Sequence, residues 1–274
     1  MKELWLCADD YAQNADISAG IRDLYTQQHI NAISCMTNMP LWSKEGQELV
    51  TLHDQGYLGL HLNFTEGYAL SEAWRSRYGQ KFHPLWWMIV HRLDCNIVLE
   101  ECIAQLEAFH QIIGRMPDFI DGHQHVHQFP CIADMLLPLL VKERFQGIVR
   151  VSAHERRWAF SLKSMVIAIL GGRRLRRLLK EQGIACNTSF AGIYSFGNAP
   201  DYRDYFKSFL THSVDQGLIM CHPGRVSTDH ADPLHAFRHH ELVYLQSDVL
   251  LTDLQQHDFV LKRKEMYAKN HSSR

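Results

Sequence analysis

Leu4-Trp5-Leu6-Cys7-Ala8-Asp9-Asp10 is the stretch on which the fold turns. An apolar run that ends in two adjacent carboxylates has the pattern of a short buried strand with polar groups at its C-terminal end. Ile17, Ile21, Leu24 and Tyr25 follow at i, i+4, i+7 and i+8, the spacing of a helix with one face on a core. No Gly-x-Gly-x-x-Gly lies between strand and helix, so the fingerprint of an open, doubly wound dinucleotide fold is missing.

The same unit recurs along the chain. Further strands are expected at 32–37, 57–62, 119–121, 148–151 and 218–221, and helices at 99–113, 132–142 and 235–254. Alternating strands and helices imply parallel strands joined by crossover helices. At least six such units in 274 residues favour a closed or partly closed β/α barrel. No repeat, low-complexity segment or Pro/Gly/Ser-rich linker divides the chain, so one domain is expected over 1–274.

Composition narrows the function. Lys+Arg 28 against Asp+Glu 30 gives a net charge of -2 and no global attraction to nucleic acid. The 7 cysteines are scattered and contain no Cys-x-x-Cys, which predicts reduced thiols in a cytoplasmic protein rather than a disulfide framework or a zinc knot. No apolar run is long enough to span a membrane, and the N-terminal one is too short for a secretion signal. Histidine is unusually abundant, 18 residues against 13 Phe and 10 Tyr, and points to metal or proton chemistry.

Four polar clusters fall where predicted strands end: Asp9-Asp10, His61, His123-Gln124-His125-Val126-His127, and His222. In a parallel β/α barrel all strand C-termini open on one rim, so these distant residues can converge there. An aspartate oxygen and two imidazole nitrogens suit a divalent cation that keeps positions free for water and substrate. The three histidines of the tract share one side if the segment is extended, whereas a helical turn pairs His123 with His127.

These residues resemble a known family. Ala8-Asp9-Asp10-Tyr11, Gly59-Leu60-His61-Leu62-Asn63, Asp121-Gly122-His123-Gln124-His125-Val126-His127 and Cys221-His222-Pro223-Gly224 are similar, in order, to the signatures of the YdjC-like carbohydrate deacetylases. That group includes chitooligosaccharide and hopanoid-associated deacetylases. The resemblance implies a distorted TIM-like barrel that hydrolyses N-acetyl groups on sugars. It also implies that Asp10, His61 and His123 hold the metal, with Asp9 as general base and His222 as general acid. Mg²⁺ is the cation the resemblance suggests, while two His and one Asp also suit Zn²⁺. His125 and His127 are left as contacts to the ligands or the substrate. Ala12 stands where the family usually has Gly, and Gly122 where Ser is common.

Two other features bear on the substrate. Tyr68, Trp74, Tyr78, Trp86 and Trp87 lie between the second and third motifs, as an aromatic sugar platform or as packing. Residues 156–180 carry Arg156, Arg157, Lys163, Arg173, Arg174, Arg176, Arg177 and Lys180 with no acidic residue, wrapped around the apolar run 165–170. Such a basic amphipathic segment suits an anionic membrane surface or a phosphate-bearing substrate, and a lipid-linked N-acetyl sugar fits the first case. A metal-dependent amidohydrolase or phosphoesterase of another β/α-barrel family is the alternative. Those enzymes normally place His-x-His on the first strand, where this chain has Asp-Asp.

Overall fold

The structure is a computed structural model that describes residues 1–153, 171–194, 201–227, 232 and 234–264. Its strands are β1 (Lys2–Tyr11), β2 (Ala32–Cys35), β3 (Tyr57–Leu62), β4 (Phe119–Gly122), β5 (Ile148–Val149), β6 (Ala185–Cys186), β7 (Phe190–Ala191), β8 (Gly217–Cys221) and β9 (Phe259–Leu261). They form one sheet in the order β6-β5-β4-β3-β2-β1-β8-β7, with β9 added beside β1, and every pairing is parallel. The helices are α1 (Ala15–Thr26), α2 (Trp42–Val50), α3 (Glu72–Tyr78), α4 (Leu85–Val90), α5 (Cys95–Ile113), α6 (Pro130–Lys142), α7 (Arg173–Gln182), α8 (Tyr202–His212), α9 (His235–Leu245) and α10 (Asp248–Gln256). This is the expected β/α barrel of parallel strands, in the partly closed form. Strands β6 and β7 end the order without pairing to each other. The Asn187 amide spans that seam, accepting from the Val151 N–H at 2.7 Å and donating to the Val151 and Ser189 carbonyls at 3.0 and 2.9 Å.

Strand alternation divides the core in two. Leu4, Leu6 and Ala8 face outward into the large cluster shared with the helices, where Ile17, Ile21 and Leu24 meet them as their spacing predicts. Trp5 and Cys7 face inward and join Ala32, Phe119, Phe190, Leu218 and Met220 in a separate apolar cluster. Gly59 makes room in that interior, because a Cβ there would lie 2.3 Å from the Phe119 ring. The interior is thus packed below the rim, as barrel interiors are.

Some expectations need correction. The helix expected at 235–254 is two helices, since Ser247 takes an extended backbone (φ -86, ψ 151) and its hydroxyl donates to the Tyr244 carbonyl at 2.7 Å. Strands β6 and β7 have two residues each, too few to show an alternation in sequence. Much of the basic segment 156–180 lies outside the described residues. Its described part forms α7, with Leu175 and Leu179 buried and Arg174 paired to Asp134 of α6 at 2.5 Å. Among the described residues, no helix is long and apolar enough to cross a membrane.

Strand β1 meets β9 along its first residues and β2 along its later ones, and buried Asn31 closes the junction. Its side chain accepts from the Leu6 N–H at 2.8 Å and donates to the Leu4 and Lys262 carbonyls at 2.9 and 2.8 Å. Asn31→Ala leaves the buried Leu6 N–H without its partner, at about 1–3 kcal/mol, and removes one hydrogen bond each from the Leu4 carbonyl, which keeps the Lys262 N–H at 2.9 Å, and the Lys262 carbonyl. Urea denaturation is expected to show a stability loss of at least about 2 kcal/mol with an unchanged m-value.

Candidate metal centre

Above the apolar interior, the next inward position of each strand is polar. Asp9 follows Cys7 on β1, Ser34 follows Ala32 on β2, His61 follows Gly59 on β3 and Asp121 follows Phe119 on β4. Register sets His61 directly beside Asp121. Arg150 comes just past β5, where its N–H donates to the Ile120 carbonyl and continues the ladder. The Arg150 side chain is fully buried and holds both oxygens of Asp9, at 2.6 and 2.7 Å, as well as Asp121 at 2.5 Å. Burial by itself raises the Asp9 pKa, but the Arg150 charge and hydrogen bonds outweigh it and keep this carboxylate ionised well below the usual range.

Asp10 sits where the alternation breaks. Its φ of +68 places it in the left-handed region, so two successive carboxylates can serve one rim. Ala12 is also left-handed, at φ +74, which is the reason a glycine is at home there. Asp10 Oδ1 lies 2.9 Å from His123 Nδ1 and 3.4 Å from His61 Nε2, and all three residues are buried. Donors about 2.1 Å from a shared cation are about 3.0–3.4 Å apart in octahedral or tetrahedral geometry, close to the spacing of Asp10 from each imidazole, and one ligand atom from each of the three residues lies within 4.8 Å of the others.

Both imidazoles are held on the side away from Asp10. Asp121 lies 2.6 Å from His61 Nδ1, and Ser34 Oγ touches the same nitrogen at 2.9 Å. Glu66 Oε1 lies 3.1 Å from His123 Nε2. Asn63 builds the turn that delivers Glu66, because its Oδ1 accepts from the Thr65 and Glu66 N–H groups at 3.0 and 3.1 Å. Carboxylates in this position fix ring orientation and strengthen an imidazole as a ligand. Without a cation, burial lowers both imidazole pKa values, yet the carboxylates win. Asp121 with Asp10 pushes His61 up to about 9, and Asp10 with Glu66 pushes His123 up to about 10. The second oxygen of Asp10 accepts from Arg238 at 2.9 Å, and buried Arg238 is held by Asp232 at 2.6 Å. A second group of possible ligands, Cys7, Asp9 and Asp121, already surrounds the Arg150 guanidinium.

The histidine tract is neither extended nor a regular helix. It forms a 3-10 turn over His123–Gln128 in which Gln124 and His125 are left-handed, so the three rings diverge. His123 reaches Asp10, whereas His125 Nδ1 meets Ser152 Oγ at 3.0 Å and His127 Nε2–H donates to the Arg150 carbonyl at 2.8 Å. Burial drives both of the latter toward the neutral form, His127 down to about 4. A Cβ at Gly122 would lie 2.9 Å from His127 Nδ1, which accounts for glycine at a position where Ser is common. His222 is half-buried just past β8, and its N–H donates to Glu241 Oε2 at 2.6 Å. Of the aromatic residues considered for sugar binding, Trp74 is core, packed edge-on against Phe82 and Tyr78 at 5.0 Å. Trp87 stacks between His83 and His91 at 4.2 Å, while Tyr68 and Trp86 are exposed.

Sequence reading missed Ser34, Asp121 and Arg150 as parts of the site, although all three obey the inward parity of their strands. Glu66, Arg238 and Asp232 lie on loops and on α9, where no such periodicity marks them.

A parallel β/α barrel with a buried Asp-His-His centre on its rim is one class of candidate divalent-metal protein. The chain belongs to the family described as YdjC-like protein, which matches residues 3–256. It is similar to the carbohydrate deacetylase of Homo sapiens, 30% identical over 146 residues, covering 50% of this chain and 45% of that one. The Danio rerio carbohydrate deacetylase is 29% identical over 146 residues, covering 50% and 46%. The chain thus spans about half the length of these curated relatives. A chitooligosaccharide deacetylase of Yersinia pestis (strain Pestoides F) is 26% identical over 234 residues, with 81% of each chain covered. A proposed cellobiose-phosphate cleavage protein of Enterococcus faecalis V583 shares the fold, with a TM-score of 0.74 at 17% identity over 96% of this chain and 97% of that one.

Neutral His127 gives stability a defined pH dependence. Its folded pKa of about 4 lies below the ordinary value near 6.5, so its contribution is complete above about pH 6.5 and is lost as pH falls toward 4. That shift corresponds to roughly 3 kcal/mol. His127→Gln can still donate to the Arg150 carbonyl but does not titrate. Denaturant titrations at a series of pH values are expected to show the wild type losing its advantage over the variant across that window.

Proposed function

We propose that this chain is a metal-dependent carbohydrate N-deacetylase, which hydrolyses the acetamide of an N-acetylated sugar to acetate and the amino sugar. The observation that carries this reading is the convergence of Asp10, His61 and His123 beside an Asp9 held ionised by Arg150. The names of the carbohydrate and chitooligosaccharide deacetylases it resembles support the substrate class.

In this reading Asp10, His61 and His123 hold the cation, which when bound polarises the acyl oxygen and acidifies water. Asp9 accepts the proton of the attacking water. Arg150 fixes the plane of that carboxylate through two hydrogen bonds, at the expense of some basicity. His222 supplies a proton to the departing amine nitrogen, and the Glu241 bond to its backbone fixes where its ring starts. His125 and His127 stay neutral and support the Arg150–Ser152 segment.

Acetate release from N-acetylglucosamine oligosaccharides and lipid-linked N-acetyl sugars tests the reading, with phosphomonoesters in the same panel. Acetate from the sugars supports it, and phosphate release alone points to the phosphoesterase alternative. Asp9→Asn is expected to lower turnover by about 10²–10⁴ while the protein still binds the metal, because the amide cannot accept the proton. His222→Ala is expected to lose rate mainly on the natural amide and to recover with an activated leaving group. Reconstitution separates Mg²⁺, the choice of the family resemblance, from Zn²⁺, which two imidazoles suit better.

We also infer a cytoplasmic location with peripheral contact at an anionic membrane surface. The observation that favours it is the exposed row Arg173, Arg177 and Lys180 at i, i+4 and i+7 on α7. Replacing these three by Gln is expected to abolish salt-sensitive binding to phosphatidylserine vesicles and to leave acetate release from a small soluble sugar intact. Wild-type protein that ignores such vesicles at low salt removes this part of the reading.

A further inference from the structure

Of the seven cysteines, Cys7, Cys35, Cys102 and Cys221 are buried and Cys186 is half-buried near Arg176. Cys95 and Cys131 differ. Their sulfurs are 3.4 Å apart, with Cys95 exposed and Cys131 half-buried. Cys95 is the first residue of α5 and Cys131 the second of α6, helices that pack against each other. A disulfide bond of about 2.0 Å requires the sulfurs to approach by only about 1.4 Å, within the reach of side-chain rotation.

We propose that Cys95 and Cys131 form a reversible disulfide that ties together the two loops meeting at His123. Helix α5 carries Glu101 and Gln105, which hold the loop after β3. Glu101 accepts from the Leu70 and Ser71 N–H groups at 3.1 and 2.8 Å, and Gln105 donates to the Asn63 carbonyl at 2.7 Å. That loop delivers Glu66 to His123. Helix α6 begins directly after the 3-10 turn that carries His123 itself. A bond between the starts of these helices therefore fastens both supports of the His123 ring from behind, without touching any residue of the centre.

The oxidant is a peroxide. The exposed Cys95 sulfur attacks one peroxide oxygen, the O–O bond breaks, and Cys95 becomes a sulfenic acid with release of one water. The Cys131 sulfur then attacks the Cys95 sulfur, the S–O bond breaks, and the departing hydroxide takes the Cys131 proton as a second water. Two thiols lose two electrons and two protons to one peroxide, and a small-molecule thiol reverses the change. Burial and the neighbouring Cys95 push the Cys131 thiol up to about 12. Exposed Cys95 is thus the sulfur that meets the oxidant, and Cys131 is the one that resolves it.

The test treats the full chain with hydrogen peroxide and reads intact mass, thiol labelling and peptide maps. Wild-type protein is expected to lose the mass of two hydrogens and two alkylatable thiols together, with a Cys95–Cys131 cross-linked peptide that glutathione reopens. Cys131→Ser is expected to stop at a trappable sulfenic acid on Cys95, and Cys95→Ser to resist at both positions. Stepwise oxidation of wild-type Cys95 to sulfinic acid with no cross-link overturns the pair. Amide exchange in 63–71 and 123–128 is expected to slow in the oxidised form. A cross-linked protein with unchanged exchange there overturns the coupling to the His123 loops.

Discussion

The Arg150 guanidinium carries the arrangement of the rim. It is a full positive charge without solvent, and only its carboxylates make that burial tolerable. Asp9 and Asp121 reach it from strands that are not neighbours in the sheet, so one side chain fixes β1 and β4 relative to β5 across the barrel. A flat, five-donor fork can serve both carboxylates and the Cys7 sulfur, which the single point of a lysine cannot. Asp121 then passes the constraint on, since its other oxygen orients His61. The placement of an imidazole in the centre therefore traces back to a cation on the next strand but one.

A second circuit surrounds Asp10. Starting at Oδ1, contacts run to His123, to Glu66, to Gln13, to Arg238 and back to Oδ2, with each step between 2.8 and 3.1 Å. The left-handed backbone at Asp10 costs free energy, and this closed ring over-determines the side chain enough to keep it. Positive groups on both oxygens also hold Asp10 ionised, with Arg238 and then His123 outweighing the opposing effect of burial. Asp9 and Asp10 are consecutive in sequence, yet each has its own arginine.

Alternation made much of this legible from sequence. The apolar run before Asp9, the strand before His61 and the strand before Asp121 announced barrel positions, and the polar residue ending each was found at the rim. The same parity carried to β2 and β5 reaches Ser34 and Arg150, but a lone Ser or Arg at a strand end is too common to stand out. The histidine tract could not be resolved, because its two left-handed residues follow neither the strand nor the helix period. Glu66 was beyond reach for another reason: it depends on an Asn63 turn and on contacts with residues more than fifty positions away. The helix break at Ser247 left no mark because serine is ordinary on a helix surface.

The position of β1 in the sheet sets the order in which the protein can be completed during synthesis. Residues 2–11 are made long before two of the strands they pair with, β8 at 217–221 and β9 at 259–261. Such long-range parallel pairing makes folding slow and leaves the early strand uncovered while the chain grows. Asp9 and Asp10 at its end add charge to an otherwise apolar segment during that wait, and charge on an unpaired strand opposes edge-to-edge association. The carboxylates that later organise the rim thus stand where a charge most hinders association of the apolar run Leu4–Ala8.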